Sequence, residues 1–257
     1  MRLALFGSLA AVSLFSASIA QADAISFQQG VSPTGTFASF DGTIRNDTPT
    51  TNAGASVENI IGRTAATATT AVIRDVFAFD LSAIPAGATI DSVTFRLVGT
   101  KPDAGSVDAV VTLELVQLTS SFVETEVTWN NRATATPWTT AGGDLGSTLT
   151  SVDSNADTFV LGTQLNFPTS TSLTSAVQSI ADGDGTFFFT VKADSATEAL
   201  NSRRVFFVAG DDATTPANRP ILTINYTPVP EPTTLSLLTL AAAGLLTRRS
   251  RVTTPSK

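Results

Sequence analysis

The 257-residue chain contains no cysteine and no histidine. Without a thiol it forms no disulfide, and without an imidazole it cannot assemble a Ser-His-Asp or Cys-His catalytic site or the usual zinc site. The groups that remain for chemistry are carboxylates, lysine, Tyr226 and oxygen ligands of the kind that bind calcium. The stability of the fold must therefore come from packing.

Basic residues are scarce as well. Between residues 25 and 228 the chain has 10 basic and 20 acidic residues, which gives a net charge of −10. Such a surface is repelled by nucleic acid and has no simple electrostatic attraction to a polyanionic polysaccharide. The charge therefore argues against nucleic acid as a partner.

An apolar run lies at the N-terminus. Arg2 precedes the run from Leu3 to Ile19, and two small-x-small sites follow, ending at Ala20 and Ala24. This order is typical of a secretory signal peptide, so residues 1–24 are interpreted as an export signal that is cut after one of these two alanines. An uncleaved anchor is the alternative, because the run approaches the length that spans a bilayer.

A proline motif, a second apolar run and a basic cluster follow one another near the C-terminus. The motif consists of Val229, Pro230, Glu231 and Pro232. The basic cluster consists of Arg248, Arg249 and Arg251. As a helix, residues 233–247 extend about 22 Å, which is short for a bilayer core of about 30 Å but workable because arginine side chains reach the headgroups. The basic cluster favours the cytoplasmic side and would stop transfer with the body outside.

Taken in this order, these three features resemble the PEP-CTERM sorting signal of Gram-negative bacteria that make exopolysaccharide. The resemblance implies that residues 229–251 hold the chain transiently in the inner membrane until an exosortase cleaves them. The product would then pass to the cell surface or the extracellular matrix. A short tail, residues 252–257, follows the last arginine. A buried core helix or a frayed apolar tail is the alternative interpretation of the run.

The body, residues 25–228, suits one domain with its own core. Its recurring pattern is alternation, clearest from Val72 to Leu81, where Ile73, Phe77 and Phe79 fall on one face. A period of two predicts half-buried strands. Further strands are predicted at Thr89 to Val98, Val107 to Leu118, Thr158 to Phe167, Thr186 to Ala193, Arg204 to Ala209 and Ile221 to Tyr226.

One segment has helical spacing instead. From Ser172 to Asp182, apolar residues recur at i, i+3, i+4 and i+7, with a hydroxyl residue before them and Gly183 after. The pattern predicts an all-β, two-sheet antiparallel sandwich, jelly-roll-like, with one short helix covering an end of the sheets. The N-terminal signal helix and the C-terminal hydrophobic helix would flank it. A β-barrel is the alternative.

Four phrases in the body, in the same order, resemble DNRLRE-type domains. They are Phe77 to Ile90, Phe122 to Asn131, Leu173 to Gly183 and Asn218 to Tyr226. The resemblance covers about Thr43 to Tyr226 and implies a β-sandwich of the kind found on secreted and surface proteins, similar to carbohydrate-binding modules. It implies a binding or structural role and transfers no ligand.

Two glutamates are the candidates for catalysis. Glu124 and Glu126 are two apart in a predicted strand, which would place their carboxylates on one face at roughly 7 Å, a separation that a glycosidase pair could use. Val123, Val127 and Trp129 would take the opposite, inward face. We therefore interpret the glutamates as a solvated polar face and predict no catalytic residue.

Candidate binding residues are few. Trp138, in a Thr-rich loop, is the candidate platform for a sugar ring, with a loop residue covering the sandwich edge as the alternative. Phe188 alternates outward, where the helix could bury it. Asp182 and Asp184 are weak candidates for a structural calcium, although a plain helix-to-strand turn is the alternative and the EF-hand spacing is not met. The pair Asp211 and Asp212 is a comparable candidate, and no other cofactor is predicted.

The sequence thus predicts an exported, surface-sorted, non-enzymatic protein of the cell envelope or matrix. An exosortase-like protease would be its transient partner, and exopolysaccharide a possible one. A carbohydrate-binding module proper is the first alternative. A polysaccharide lyase or glycosidase using the two glutamates is the second.

Overall fold

The structure is a computed structural model that describes residues 21–64, 71–103, 110–155, 158–183, 185–199 and 203–229. Residues Ala22–Pro228 form a compact unit built mainly from β-strands. No helix within the described residues has the length and apolar character needed to cross a membrane. The predicted signal helix and C-terminal hydrophobic helix lie outside the described residues.

Thirteen strands and three short helical segments lie within the described residues. The strands are β1 (Asp23–Phe27), β2 (Ser39–Arg45), β3 (Glu58–Arg63), β4 (Val72–Asp80), β5 (Thr89–Lys101), β6 (Val110–Leu118), β7 (Asn131–Ala133), β8 (Thr136–Pro137), β9 (Leu145–Asn155), β10 (Gln164–Phe167), β11 (Thr186–Ala193), β12 (Arg203–Val208) and β13 (Ile221–Thr227). The helical segments are α1 (Thr171–Ala181), α2 (Ser195–Glu198) and a 3-10 turn (Pro216–Asn218).

The strands form a curled antiparallel sheet that faces itself as two layers. The first layer has the order β1, β13, β5, β10, and the second contains β2, β4, β11, β6 and β9. Strands β12 and β3 join them, because β12 pairs with the end of β5 at Gly99 and Lys101 while β3 pairs with the start of β4. The predicted all-β sandwich is confirmed.

Phenylalanine rings from both layers fill the space between them. Phe95 of β5 meets Phe77 of β4 at a centroid distance of 5.1 Å and Phe189 of β11 at 5.0 Å, each edge to face. All three rings are fully buried. Because successive side chains of β4, β5 and β11 point to opposite faces of the sheet, their outward residues are free to make contacts outside this core.

Helix α1 covers one end of the sandwich, as predicted, and contacts β5 and β9. Its N-cap is Ser170, whose side chain accepts a hydrogen bond from the N–H of Leu173. Leu173 and Val177, one turn apart, are fully buried and join the core between the layers. The apolar residues whose spacing predicted this helix are therefore the ones that it buries in the core.

A second, smaller core lies on the outer side of the second layer. Residues 119–144, here named the covering segment, pack across the outward residues of β2, β4 and β11. Phe122 from this segment meets Phe188 of β11 edge to face at 5.6 Å. The expectation that the helix buries Phe188 is wrong, because α1 lies at an end of the sandwich and the covering segment lies on its flank.

Two other predictions about strands fail. Residues 158–163 form turns before β10 begins at Gln164, and residues 122–130 form turns rather than a strand. Strands β1, β2, β3, β7, β8 and β9 were not predicted. In β9 the cause is composition, since its sequence LGSTLTSVDSN has few apolar side chains to alternate.

Candidate functional site

Three polar side chains are buried together at the edge of the inner core. Asp41 of β2, Asn59 of β3 and Asp75 of β4 are 4%, 1% and 0% exposed. Asp75 shares the inward face of β4 with Phe77, two residues on, and Asp41 is the cross-strand partner of Phe77. We name these residues, with Glu124 and Asp211 beside them, the acidic cluster.

Asn59 bridges the two buried carboxyl groups. Its Nδ2 donates to Oδ2 of Asp75 at 2.8 Å and also to Oδ2 of Asp41. The backbone N–H of Gly210 donates to both oxygens of Asp41, at 3.0 and 3.2 Å. Oδ1 of Asn59 and Oδ1 of Asp75 are buried acceptors without a hydrogen-bond partner among the described residues. The centre of the cluster therefore has more buried hydrogen-bond acceptors than donors.

Glu124 and Asp211 stand at the outer side of the cluster and are partly exposed. Oε1 of Glu124 accepts from the N–H of Asp41 at 3.1 Å, and Oδ1 of Asp211 accepts from Nε2 of Gln29 at 2.9 Å. Both carboxylates act on Asp41 as like charges. They approach the buried pair from the covering segment and from the loop after β12.

This arrangement favours the protonated carboxyl groups. Burial raises the pKa of Asp41 to about 7, and the charges of Glu124 and Asp211 add to the rise. Burial, with Asp41 nearby, holds the pKa of Asp75 well above its usual value. Burial also raises the pKa of Glu124 to about 7. Protonation thus neutralises carboxylates that have no cationic partner within the cluster.

The acidic cluster offers little to a substrate. Asp75 has no exposed surface, and Asp41 is only 4% exposed. In the part of the chain that the structure describes, no group of three or more acidic side chains lies close enough together to hold a metal ion. The centre of the cluster is therefore part of the buried interior of the fold.

Glu124 and Glu126 do not form the predicted strand pair. They lie in a turn in which the N–H groups of Glu126 and Val127 both donate to the carbonyl of Val123. Glu126 Oε2 accepts from the N–H of Thr134 at 2.7 Å, whereas Glu124 is turned towards Asp41. The predicted strand geometry is wrong, because Asn52 pins this turn through the carbonyls of residues 124 and 127.

Trp138 is buried rather than exposed. Its side chain is 4% exposed, and Nε1 donates to the carbonyl of Thr128 at 3.0 Å inside the second core. The candidate sugar platform is therefore wrong, and the alternative, a loop residue that covers the sandwich, agrees with this burial. Nearby, Arg74 stacks over Trp129 at 5.1 Å and donates to the carbonyl of Gly142 at 2.9 Å, which fastens the segment to β4.

The weak calcium candidates are not brought together in the described residues. Asp182 is the exposed C-cap of α1, and its Oδ1 accepts from Nε2 of Gln178 at 2.8 Å. Asp184 lies outside the described residues. Asp212 instead accepts from the hydroxyls of Thr214 and Thr215, which lower its pKa to about 2, so it fixes its own loop.

The outer face of the first layer is polar and is not overlaid by the covering segment. Its strands send most of their apolar residues inward, and cross-strand partners share the outward side. The polar outward residues are Ser26, Ser92, Thr94, Arg96, Gln164, Asn166, Thr223 and Asn225, and Ala24, Val98 and Ile221 lie on the same side. We name this set the polar face. It offers hydroxyls, amides and one guanidinium, and sequence patterning alone did not single it out.

The two ends of the domain lie side by side on adjacent strands. Asp23 of β1 faces Tyr226 of β13, whose hydroxyl donates to Oδ2 of Asp23 at 3.4 Å. Val229, just beyond β13, is 57% exposed. The other residues of the predicted sorting motif, Pro230, Glu231 and Pro232, and of the basic cluster, Arg248, Arg249 and Arg251, lie outside the described residues.

Residues 228–251 match the family model of the PEP-CTERM protein-sorting motif. They are a PEP-CTERM sorting signal. The signal begins directly after Thr227, the last residue of β13, so no spacer separates it from the folded domain. The motif implies export and processing by an exosortase-type partner, which confirms the sorting prediction at this level.

A second family model, described as the disaggregatase related repeat domain, matches residues 41–156. This β-rich repeat runs from β2 to β9 and includes Asp41, Asn59, Asp75 and the covering segment. No curated protein matches the chain. The matched models therefore identify the sorting signal and part of the sandwich.

Proposed function

We propose that this protein is an exported, non-enzymatic β-sandwich that exosortase processing delivers to the cell surface or extracellular matrix, where it acts as a structural component. The observation that carries the proposal is the sorting signal at residues 228–251, directly after the last strand. The resemblance of the body to DNRLRE-type domains of secreted proteins supports the same role.

The proposed route has two membrane steps. Residues 1–24 direct export, and residues 233–247 then hold the chain in the inner membrane until the sorting protease cuts. Five residues, 228–232, lie between Thr227 at the end of the last strand and Thr233 at the start of the apolar run.

Replacing both prolines of the motif, Pro230→Ala with Pro232→Ala, is expected to block processing, because the prolines keep the motif extended for the protease. In cells that carry the exosortase, the uncut form should accumulate in the membrane fraction and the surface form should be lost. Immunoblots of both fractions and intact mass measure this. Pro216→Ala, at an exposed proline in the 3-10 turn, is the matched control. Unchanged surface delivery of the double variant would contradict the proposal.

The absence of catalysis is part of the proposal. Glu124 and Glu126 are each engaged by a different backbone N–H, and Glu124 is directed towards a buried carboxyl group rather than towards its neighbour. This arrangement supports a structural role for both. Depolymerisation of a polysaccharide by the purified protein, lost in Glu126→Gln, would establish the enzymatic alternative.

Association with exopolysaccharide is the finer proposal, and the polar face favours it. Ser26, Thr223 and Thr94 form one outward row across three strands, and Arg96 and Asn166 lie on the next. Hydroxyls, amides and a guanidinium are donors and acceptors that sugar hydroxyls can match. Since Trp138 is buried, binding on this face would depend on hydrogen bonds rather than on ring stacking.

The double variant Arg96→Ala with Asn166→Ala is expected to lose about tenfold or more in affinity, since each lost hydrogen bond costs about 1 kcal/mol. Affinity electrophoresis in gels that contain exopolysaccharide from the producing cells measures the loss. Asp153→Ala, at an exposed position of the second layer, is the control. Equal retardation of the double variant and the wild-type protein would rule out the polar face as the contact surface.

A further inference from the structure

Strand β1 begins between the two sites at which the export signal could be cut. It runs from Asp23 to Phe27 and, among the described strands, pairs with β13 alone. Five residue pairs form the ladder, starting with Asp23 opposite Tyr226 and Ala24 opposite Asn225. The choice of cleavage site therefore decides how much of β1 the mature protein keeps.

Cleavage after Ala24 would shorten β1 to three residues. It would remove two of the five pairs and the carboxylate that accepts from the Tyr226 hydroxyl. The ring of Tyr226 is 7% exposed, so the loss would uncover the end of the core next to it. Cleavage after Ala20 keeps the whole strand and adds only Gln21 and Ala22 before it.

We propose that the export signal is removed after Ala20 and that residues 21–24 of the mature protein clamp the end of β13. The proposal rests on the export function proposed above. Both sites satisfy the small-x-small rule, so the sequence pattern does not choose between them. The pairing of β1 with β13 favours the first site, because only the product that is cut after Ala20 retains all of β1.

The clamp acts on the strand that leads into the sorting signal. With β1 complete, Asn225 and Tyr226 lie between β1 on one side and β5 on the other. Without residues 23 and 24, this end of β13 becomes a sheet edge with unpaired backbone groups on one side. The clamp thus holds the C-terminal end of β13, which leads directly into the sorting motif.

Mass spectrometry of the N-terminal peptide of the exported protein tests the cleavage site. The expected peptide begins at Gln21, either as glutamine or as the cyclised pyroglutamate that has lost ammonia. A peptide that begins at Ile25 would overturn this inference and leave export intact. An exported protein that begins at Met1 would also overturn this inference, whereas recovery of the protein only in the cytoplasm would overturn the export proposal, so the two failures are distinguishable.

A matched pair of variants makes the same test in the cell. Ala20→Leu and Ala24→Leu each place a large residue at the end of one small-x-small site, and Ala24 is exposed in the fold. Ala20→Leu is expected to leave the chain uncut, whereas Ala24→Leu should give the same Gln21 start as the wild-type protein. The opposite pattern would show that the second site is used.

Deleting residues 21–24 tests the clamp separately from the cut. The remaining chain, exported from the same signal and confirmed by mass to start at Ile25, is expected to melt about 2–4 °C or more below the wild-type protein. Circular dichroism of the two secreted proteins measures the difference. An unchanged melting midpoint would mean that these residues contribute nothing to the end of β13.

Discussion

The melting midpoint of this protein is expected to rise as the pH falls from 8 to about 5, in a buffer that contains a chelator. A domain whose carboxylates are paired, with lowered pKa values, gains no stability from them as the pH falls. Here Asp41, Asp75 and Glu124 all have pKa values raised by burial. The folded state therefore takes up protons before the unfolded chain does.

The sign follows from which state holds more protons. Above about pH 7, both states have lost the Asp41 proton, and the folded state carries the full cost of a buried charge. As the pH falls from about 7 towards 3.8, the folded state is protonated and the unfolded chain is not, so the free energy of unfolding rises. For Asp41 alone the gain by pH 5 is on the order of 3 kcal/mol, which raises the midpoint by several degrees.

The gain ends at lower pH. Hydroxyl donors lower the pKa of Asp212 to about 2, and Arg45 holds the pKa of Asp47 below its usual value. Their contribution to stability is present above about pH 4 and is lost as the pH falls towards their folded pKa values. The stability curve should therefore have its maximum near pH 4 to 5 rather than at neutral pH.

Asp75→Asn is the variant that isolates the cluster. The amide keeps the shape of the side chain and can still accept from Asn59, while the buried charge is removed. We expect the variant to melt higher than the wild-type protein at pH 8 and to keep a weaker pH dependence, because the Asp75 contribution is lost while Asp41 and Glu124 still titrate. Asp182→Asn, at the exposed C-cap of α1, is the matched control and should keep the wild-type slope. A wild-type midpoint at pH 8 that equals or exceeds the one at pH 5 would refute the account.

The second large effect concerns Trp138. Trp138→Ala is expected to lower the free energy of unfolding by about 3–5 kcal/mol, because it leaves a cavity in the second core and orphans the carbonyl of Thr128. Denaturant unfolding followed by circular dichroism measures the loss. The covering segment should detach first, since this ring and the Arg74 stack on Trp129 both attach it to the sheet.

Two further variants define what the Trp138 result means. Val123→Ala, at a 44% exposed position of the same segment, should change stability by only about 0.5 kcal/mol. Trp138→Phe keeps most of the packing and loses the N–H, so it should fall between the two. A loss below about 1 kcal/mol for Trp138→Ala would contradict the buried position and restore the ring as a candidate surface.

Much of the sandwich could be predicted from alternation. Strand β4 was recognisable because Ile73, Phe77 and Phe79 recur on one face, and the helix because its buried residues follow its own period. Strand β9 was not, since its serine and threonine residues give no apolar face. Its place in the sheet is decided by pairing with β6, and that contact is not local in the sequence.

The acidic cluster was missed for a related reason. Asn59 is 18 residues from Asp41 and 16 from Asp75 in the chain, and the three side chains meet only through strand register. One signal was nevertheless present, because Asp75 occupies the inward face of β4 between Ile73 and Phe77. A carboxyl at an inward position predicts a buried partner and a displaced pKa.

The errors at Trp138 and Phe188 have one origin. Phe188 points outward from β11 and is covered by residues 119–144, whereas Trp138 belongs to that segment and is buried against the sheet. The apolar residues of that segment follow no regular period from which a contact with the sheet could be predicted. A rule that assigns outward residues of a strand to solvent fails wherever a loop supplies a second core.

Because the two ends of the domain are neighbours, the domain could be inserted into another protein. Asp23 and Tyr226 are opposite one another in an antiparallel ladder, where paired Cα atoms are about 5 Å apart. A host protein could accept residues 21–229 within a single surface loop without stretching its own backbone, because entry and exit nearly coincide. The same geometry suits a circular permutant, in which a short linker joins the old ends and new ones open elsewhere.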